Sequence, residues 1–242
     1  MIDIHCHLLP QIDDGSQSVL DTLELFKEAC NAGFTKIITT SHYISDGRFV
    51  TNSDARQKLI NAFQEILNEQ KIDLELYNGA EAYLSMDLPE LYENGTIPTL
   101  ANSRYVLFEL PMSQKTLYVE NIINKLEELG YIPIIAHPER YDYVKENINE
   151  ALKWVDMGAY LQCNYGSIMG QYGGHAKKTI VKLFKENAVT FLGTDTHRVN
   201  TNYTNLKYAI NEIKERIGAE RFYKLSKENP EKIIKNETIY RT

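Results

Sequence analysis

Short apolar, β-branched runs alternate along the whole chain with longer segments of helical spacing. The runs predict strands over residues 1–5, 36–40, 74–81, 105–110, 132–137, 160–164 and 190–195. The longer segments predict helices over 19–31, 54–70, 117–129, 147–157, 176–186 and 205–217. In the first of them Leu20, Leu23, Phe26 and Ala29 recur at intervals of three. Gly33, Gly130 and Gly158 supply helix stops. This alternation predicts a parallel sheet, because parallel neighbours need a crossover and a helix is the usual one. Seven such units in 242 residues nearly fill an α/β barrel of the TIM-like class, whose usual size is about 250 residues. An open doubly wound sheet is the competing layout. No linker, compositional break or internal repeat divides the sequence, so one domain over residues 1–242 is expected.

Composition narrows the class. Hydrophobic residues at 43% and charged residues at 24% are ordinary globular values, which excludes disordered and collagen-like chains. The 26 basic and 33 acidic residues leave a net charge of −7, which argues against a nucleic-acid partner held through its phosphate backbone. No run of about 18 apolar residues is present, so no transmembrane segment is expected. The opening Met1-Ile2-Asp3-Ile4-His5 is unlike a secretory leader, and a cytoplasmic location is expected. Cys6, Cys30 and Cys163 form no CxxC pair and leave an odd count, which suits a reducing compartment.

The chemistry lies where the predicted strands end. The first ends at His5, with Cys6 and His7 following; the second is followed by Ser41-His42. The third ends at Glu81, the fourth reaches Glu109, the fifth ends at His137, and the seventh ends at Asp195, with Thr196-His197 beyond it. Parallel strands bring their carboxyl ends to one face in barrels and open sheets alike, so these groups should meet around one mouth. Carboxylates packed together without cations would repel one another and suffer desolvation, and divalent metals remove that problem. Imidazole and carboxylate without thiolate suit Mn²⁺, Fe²⁺ or Zn²⁺, and the donors outnumber what one ion can use, so two or three ions are implied. Cys6, turned to the opposite side by strand alternation, reads as a buried small hydrophobe. His175 reads as a structural histidine outside the set.

In this order the residues resemble the ligand series of the PHP (polymerase and histidinol phosphatase) superfamily. The opening Met1-Ile2-Asp3-Ile4-His5-Cys6-His7-Leu8-Leu9-Pro10 with Asp13-Asp14-Gly15 narrows the match, as do Ile135-Ala136-His137-Pro138-Glu139-Arg140-Tyr141 and Asn164-Tyr165-Gly166-Ser167. These segments are similar to the bacterial capsule-locus, manganese-dependent protein-tyrosine phosphatases of PHP type, the CpsB/CapC-like family. The resemblance implies a distorted seven-stranded barrel and a trinuclear, usually manganese-dependent site. It implies that His5, His7, Glu81 and Asp195 hold one ion. Glu81 would bridge to a second ion, which Glu109 and His137 also bind, and Asp14, His42 and His197 would hold the third. Asp13 and Asp14 are adjacent, and either fits that last role. The partner it implies is the phosphotyrosine tail of a bacterial tyrosine kinase controlling capsular or exopolysaccharide synthesis.

Arg140 and Arg198 each lie close in sequence to a ligand and are candidates for binding phosphate oxygens. His42 is a candidate proton donor only if it is not a ligand. The cysteine-phosphatase alternative requires Cys, five residues, then Arg; positions 12, 36 and 169 are Ile, Lys and Met, so all three cysteines fail. GxSxG and GxxxxGK[ST] loops are also missing. The competing functions are a phosphoesterase for a small ester such as histidinol phosphate, a nuclease, and a non-catalytic scaffold for a kinase tail. Oligomeric state leaves no mark in this pattern.

Overall fold

The computed structural model describes residues 1–240; the last two residues of the expected domain, 241 and 242, lie outside the described residues. In chain order the strands are β1 (Ile2–Asp3), β2 (Lys36–Thr39), β3 (His42–Tyr43), β4 (Glu75–Asn78), β5 (Glu81–Tyr83), β6 (Tyr105–Glu109), β7 (Ile132–Ala136), β8 (Tyr160–Asn164) and β9 (Val189–Gly193). The principal helices between and after them are α1 (Val19–Asn31), α2 (Ser53–Glu69), α3 (Leu88–Glu93), α4 (Val119–Glu128), α5 (Asp142–Glu146), α6 (Asn149–Asp156), α7 (Tyr165–Ile168), α8 (Gly173–Lys185) and α9 (Leu206–Ile217). Ser18 caps α1 by accepting from the Asp21 N–H, and Asn52 caps α2 by accepting from the Ala55 N–H. Short helices α10 (Ala219–Tyr223) and α11 (Asn229–Ile234) follow.

Every named strand pairing is parallel, as the alternation predicts. The strands form two sheets, β1-β2-β4 and β3-β5-β6-β7-β8-β9, instead of one seven-stranded ladder. Two expected strands account for the difference. The second ends at Thr39 and resumes as β3, and the run 74–81 splits at Gly79-Ala80 into β4 and β5. Gly79 is pressed against its neighbours: a Cβ there would lie 2.8 Å from Ile38 Cγ2 and 3.0 Å from Leu100 Cδ2. Between the first and last strands there is one isolated bridge, Cys6 with Thr196, flanked by hydrogen bonds from Asp195 N to His5 O (2.8 Å) and from His7 N to Thr196 O (2.9 Å). The expected helix over 147–157 is found as α6, and the short α5 precedes it.

Alternate residues of the strands face two apolar clusters. Ile37, Val106, Phe108, Ile135, Leu161 and Leu192 join the large one, into which the helices pack. Ile2, Ile4, Ile38, Tyr105, Leu107, Ile134, Ala136, Tyr160 and Phe191 meet in a smaller one drawn from both sheets. Continuing that inner alternation along β6 and β8, and past the end of β9, gives Glu109, Asn164 and Asp195. The functional groups therefore sit directly above the inner cluster, at the strands' carboxyl ends.

Candidate metal centre

Nine side chains converge there. Glu81 is the hub: its Oε2 lies 3.1 Å from His5 Nε2, 3.3 Å from His7 Nε2 and 3.2 Å from His42 Nδ1, and its Oε1 lies 2.8 Å from His137 Nε2. The β3–β5 register, His42 opposite Glu81, makes one of these contacts directly. Asp195 Oδ1 is 3.6 Å from both His5 Nε2 and His7 Nε2, and Glu109 Oε1 is 3.3 Å from His42 Nδ1. Asp14 Oδ1 faces His42 Nε2 at 3.7 Å and His197 Nε2 at 3.4 Å. Four sets have donor atoms mutually within 4.8 Å: His7–Asp14–His42–His197, His5–His7–Glu81, His5–His137–Asp195 and His42–Glu81–Glu109.

The electrostatics of this cluster call for cations. Burial opposes charge on Glu81, but the surrounding imidazoles of His5, His42 and His137 outweigh it and hold its carboxyl well below the usual range. Glu109 goes the other way: burial, then the charges of Glu81 and Asp195, push it well above. Burial also opposes ionisation of Asp195, which His5, His137 and Arg140 nevertheless hold low. Burial disfavours a charged His7, yet its hydrogen bond to Asp13 and the adjacent Glu81 carboxylate raise its pKa well above the ordinary value, whereas burial lowers that of His42 to about 4. Glu81 Oε2 and His42 Nδ1 are fully buried and have no hydrogen-bond partner. A buried carboxylate oxygen facing three imidazole nitrogens without a hydrogen bond is a donor set shaped for divalent ions, and the residues present fit that group.

Backbone conformation serves the same end. His137 (φ 32°) and Asp195 (φ 53°) are left-handed non-glycine residues, and both sit where a strand turns over to present its side chain. Asp13 and Asp14, inseparable in sequence, have different surroundings. Asp13 Oδ2 lies 2.8 Å from His7 Nδ1 and accepts the His42 N–H at 2.8 Å, so it orients two donors from behind. Asp14 alone of the pair faces His42 and His197.

The two arginines part company. Arg140 NH1 donates to Asp195 Oδ2 at 2.6 Å while its guanidinium lies 4.4 Å above the Tyr172 ring, at the edge of the cluster. Arg198 NH1 donates to the carbonyls of Asp14, Gly15 and His197, tying the 14–15 loop to the segment after β9. His175 is exposed and outside all four donor sets.

Sequence patterns alone miss several supporting residues. Asp3, fully buried, accepts from Thr194 N, Thr194 Oγ1, Tyr203 OH and His5 N, linking β1 to the segment after β9. Arg56, also fully buried, donates to the carbonyls of Ser41, His42 and Thr51 and fixes the strand that bears His42. Glu139 accepts from Asn164 N and Ser167 Oγ, pinning the end of β8. Gln162 Oε1 lies 2.6 Å from His5 Nδ1; a neutral amide on a strand and a lone Arg in an amphipathic helix give no sequence signal of such a role.

Fold and site together define a parallel α/β protein whose strand ends gather imidazole and carboxylate groups into sets that fit divalent cations. The chain belongs to the CpsB/CapC family: a family model described as capsular polysaccharide synthesis, CpsB/CapC, matches residues 1–235. The tyrosine-protein phosphatase YwqE of Bacillus subtilis is 31% identical over 241 residues, covering 100% of this chain and 94% of its own. The tyrosine-protein phosphatase CpsB of Streptococcus pneumoniae is 31% identical over 244 residues, covering 99% and 100%. A crystal structure from work on YwqE and CpsB, described there as unique metal-dependent tyrosine phosphatases, matches with a TM-score of 0.94 at 30% identity, over 100% of this chain and 97% of that one. A zinc-bound histidinol phosphate phosphatase from Lactococcus lactis, at 16% identity and a TM-score of 0.62 over 89% and 93% of the two chains, shares the fold.

Proposed function

We propose that this chain is a metal-dependent protein-tyrosine phosphatase that hydrolyses phosphotyrosine in capsular or exopolysaccharide synthesis. The observation that carries the proposal is the orphaned Glu81 Oε2 among three imidazole nitrogens, in a chain that belongs to a family with tyrosine-phosphatase members. His5, His7, Glu81 and Asp195 would hold one ion; Glu81, Glu109 and His137 a second; Asp14, His42 and His197 a third. Mn²⁺ is the assigned metal, and Fe²⁺ and Zn²⁺ suit the same donors. The chain folds as one domain on the plan of a distorted seven-stranded barrel, with β2/β3 and β4/β5 as interrupted strands.

When bound, the ions supply a nucleophile from water near neutral pH and neutralise charge on the phosphoryl group. Arg140 keeps NH1 on Asp195 and turns its remaining N–H donors to phosphoryl oxygens, with Tyr172 holding the guanidinium plane. Arg198 keeps Asp14 in place and makes no phosphate contact. His42, with both ring nitrogens facing carboxylates, acts as a ligand, not as a proton donor. A tyrosyl leaving group, pKa about 10, needs less protonic help than an alkoxide. A thiolate route finds no support, because burial raises the pKa of Cys6, Cys163 and Cys30. The proposed substrate is the phosphorylated tail of a tyrosine kinase, met in the cytoplasm; among the described residues no helix is long and apolar enough to cross a membrane.

The test is a side-by-side assay of a phosphotyrosine peptide, histidinol phosphate and a 3′-tailed DNA, with Mn²⁺ and then with chelator. Peptide hydrolysis that needs metal and is abolished in a folded His137→Ala variant is expected. Activity surviving chelation, or preference for either other substrate, would overturn the assignment.

A further inference from the structure

β8 carries two neutral amides on one face, Gln162 and Asn164, both fully buried. Together they span from one candidate ligand to another. His5 Nδ1 lies 2.6 Å from Gln162 Oε1, Gln162 Nε2 donates to Asn164 Oδ1 at 2.9 Å, and Asn164 Nδ2 donates to Asp195 Oδ2 at 2.8 Å. The direction of this chain is set from its far end. Asp195 Oδ2 also takes Arg140 NH1 at 2.6 Å, so it is an ionised carboxylate oxygen that can only accept. Asn164 must then turn its NH₂ to Asp195 and its carbonyl to Gln162. Gln162 in turn points its NH₂ at Asn164 and its carbonyl at His5. Only an N–H satisfies that carbonyl, so Nδ1 of His5 carries the proton and Nε2 keeps its lone pair. Nε2 is the atom 3.1 Å from Glu81 Oε2 and 3.6 Å from Asp195 Oδ1. Gly193 leaves the space this needs: a Cβ there would lie 2.6 Å from His5 Cβ and 2.8 Å from Gln162 Nε2.

We infer that Gln162 is a positioning residue that, through Asn164 and Asp195, selects the one His5 tautomer able to offer a lone pair to the cage. Its purpose rests on the metal reading proposed above, but the tautomer itself exists without any ion. Partners of this kind fix ring orientation and tautomer in metal-ligating histidines.

Long-range ¹H–¹⁵N NMR on histidine-labelled, chelator-treated protein, at a pH alkaline enough to leave His5 neutral, reads the tautomer. The parent and Gln162→Glu, which keeps an acceptor opposite Nδ1, are expected to show protonated Nδ1; Gln162→Leu is expected to lose the preference. Competition with a fluorescent chelator for Zn²⁺ reads the consequence, with binding in the Leu variant weakened by about 10- to 100-fold and the Glu variant between the two. A parent protonated on Nε2, or a folded Leu variant with unchanged tautomer and Zn²⁺ affinity, would overturn the inference. A parent that shows protonated Nδ1 yet retains no Zn²⁺ upholds the tautomer and sinks the metal reading instead.

Discussion

Four of the nine donors are aimed by a hydrogen bond on the side chain itself: His5 by Gln162, His7 by Asp13, His197 by the Asp195 carbonyl, and Asp195 by Asn164 and Arg140. Arg140 thus has two duties, and its planar fork is what lets it hold Asp195 and still reach substrate. Lysine keeps the charge and loses the fork, so Arg140→Lys should retain metal while kcat/KM on a phosphotyrosine peptide falls by about 10- to 100-fold, or ~1.4–2.7 kcal/mol. Steady-state kinetics on metal-replete protein check this; an unchanged kcat/KM would remove Arg140 from phosphate binding. At this scale the donors are legible in the sequence because imidazole and carboxylate complete apolar runs, where side chains of that kind need a reason. The residues that aim them are not legible. Gln162, Asp3 and Arg56 look like ordinary polar positions until folding buries them, and Asp13 separates from Asp14 only once each has neighbours.

At the scale of elements, the strands are found where β-branched runs predict them, and one interruption coincides with a turn-favouring pair, Asn78-Gly79. Residues 74–81 read as one strand, and it breaks at Gly79-Ala80, where Ile38 and Leu100 leave no room for a side chain at 79. That break lets β5 move to the second sheet and set Glu81 opposite His42. Gly15 plays a similar part in the loop bearing Asp13 and Asp14: a Cβ would lie 2.2 Å from the His7 carbonyl oxygen and 2.8 Å from Asp13 Oδ1. The first of these is backbone and cannot swing away. Gly15→Ala should therefore cost about 1–3 kcal/mol of stability and weaken metal retention by displacing Asp14. Urea denaturation with parallel metal analysis checks this, and a variant equal to the parent in both would show that the loop is not under that constraint.

For the whole molecule, the pH dependence of the chelated protein has a definite sign. His5 and His7 have folded pKa values raised above the ordinary 6.5; burial opposes this, but the Glu81 and Asp195 charges outweigh it at His5, and the hydrogen bond to Asp13 with the neighbouring Glu81 carboxylate does so at His7. Their stabilising contribution is complete below pH 6.5 and is lost as pH rises through the raised values. Glu109, raised by burial and by Glu81 and Asp195, loses its proton in the same sense. His42 and His137, whose pKa values burial lowers, act in the opposite sense, and their gain is complete once pH is well above 6.5; beyond that point the cluster makes the chelated protein less stable as pH increases. The same deprotonations improve it as a metal site, so the metal-loaded protein should gain stability relative to the chelated form over that range. Thermal melts with and without chelator check both statements; a chelated Tm that climbs through the window would contradict them.

We propose that six strand ends and two loops form one cage that holds several divalent ions. Elemental analysis of the protein after equilibration with Mn²⁺ and removal of unbound metal tests it most directly. Two to three ions per chain are expected, falling on substitution of Glu81 by Gln. Less than one ion per chain in folded, unsubstituted protein would contradict it.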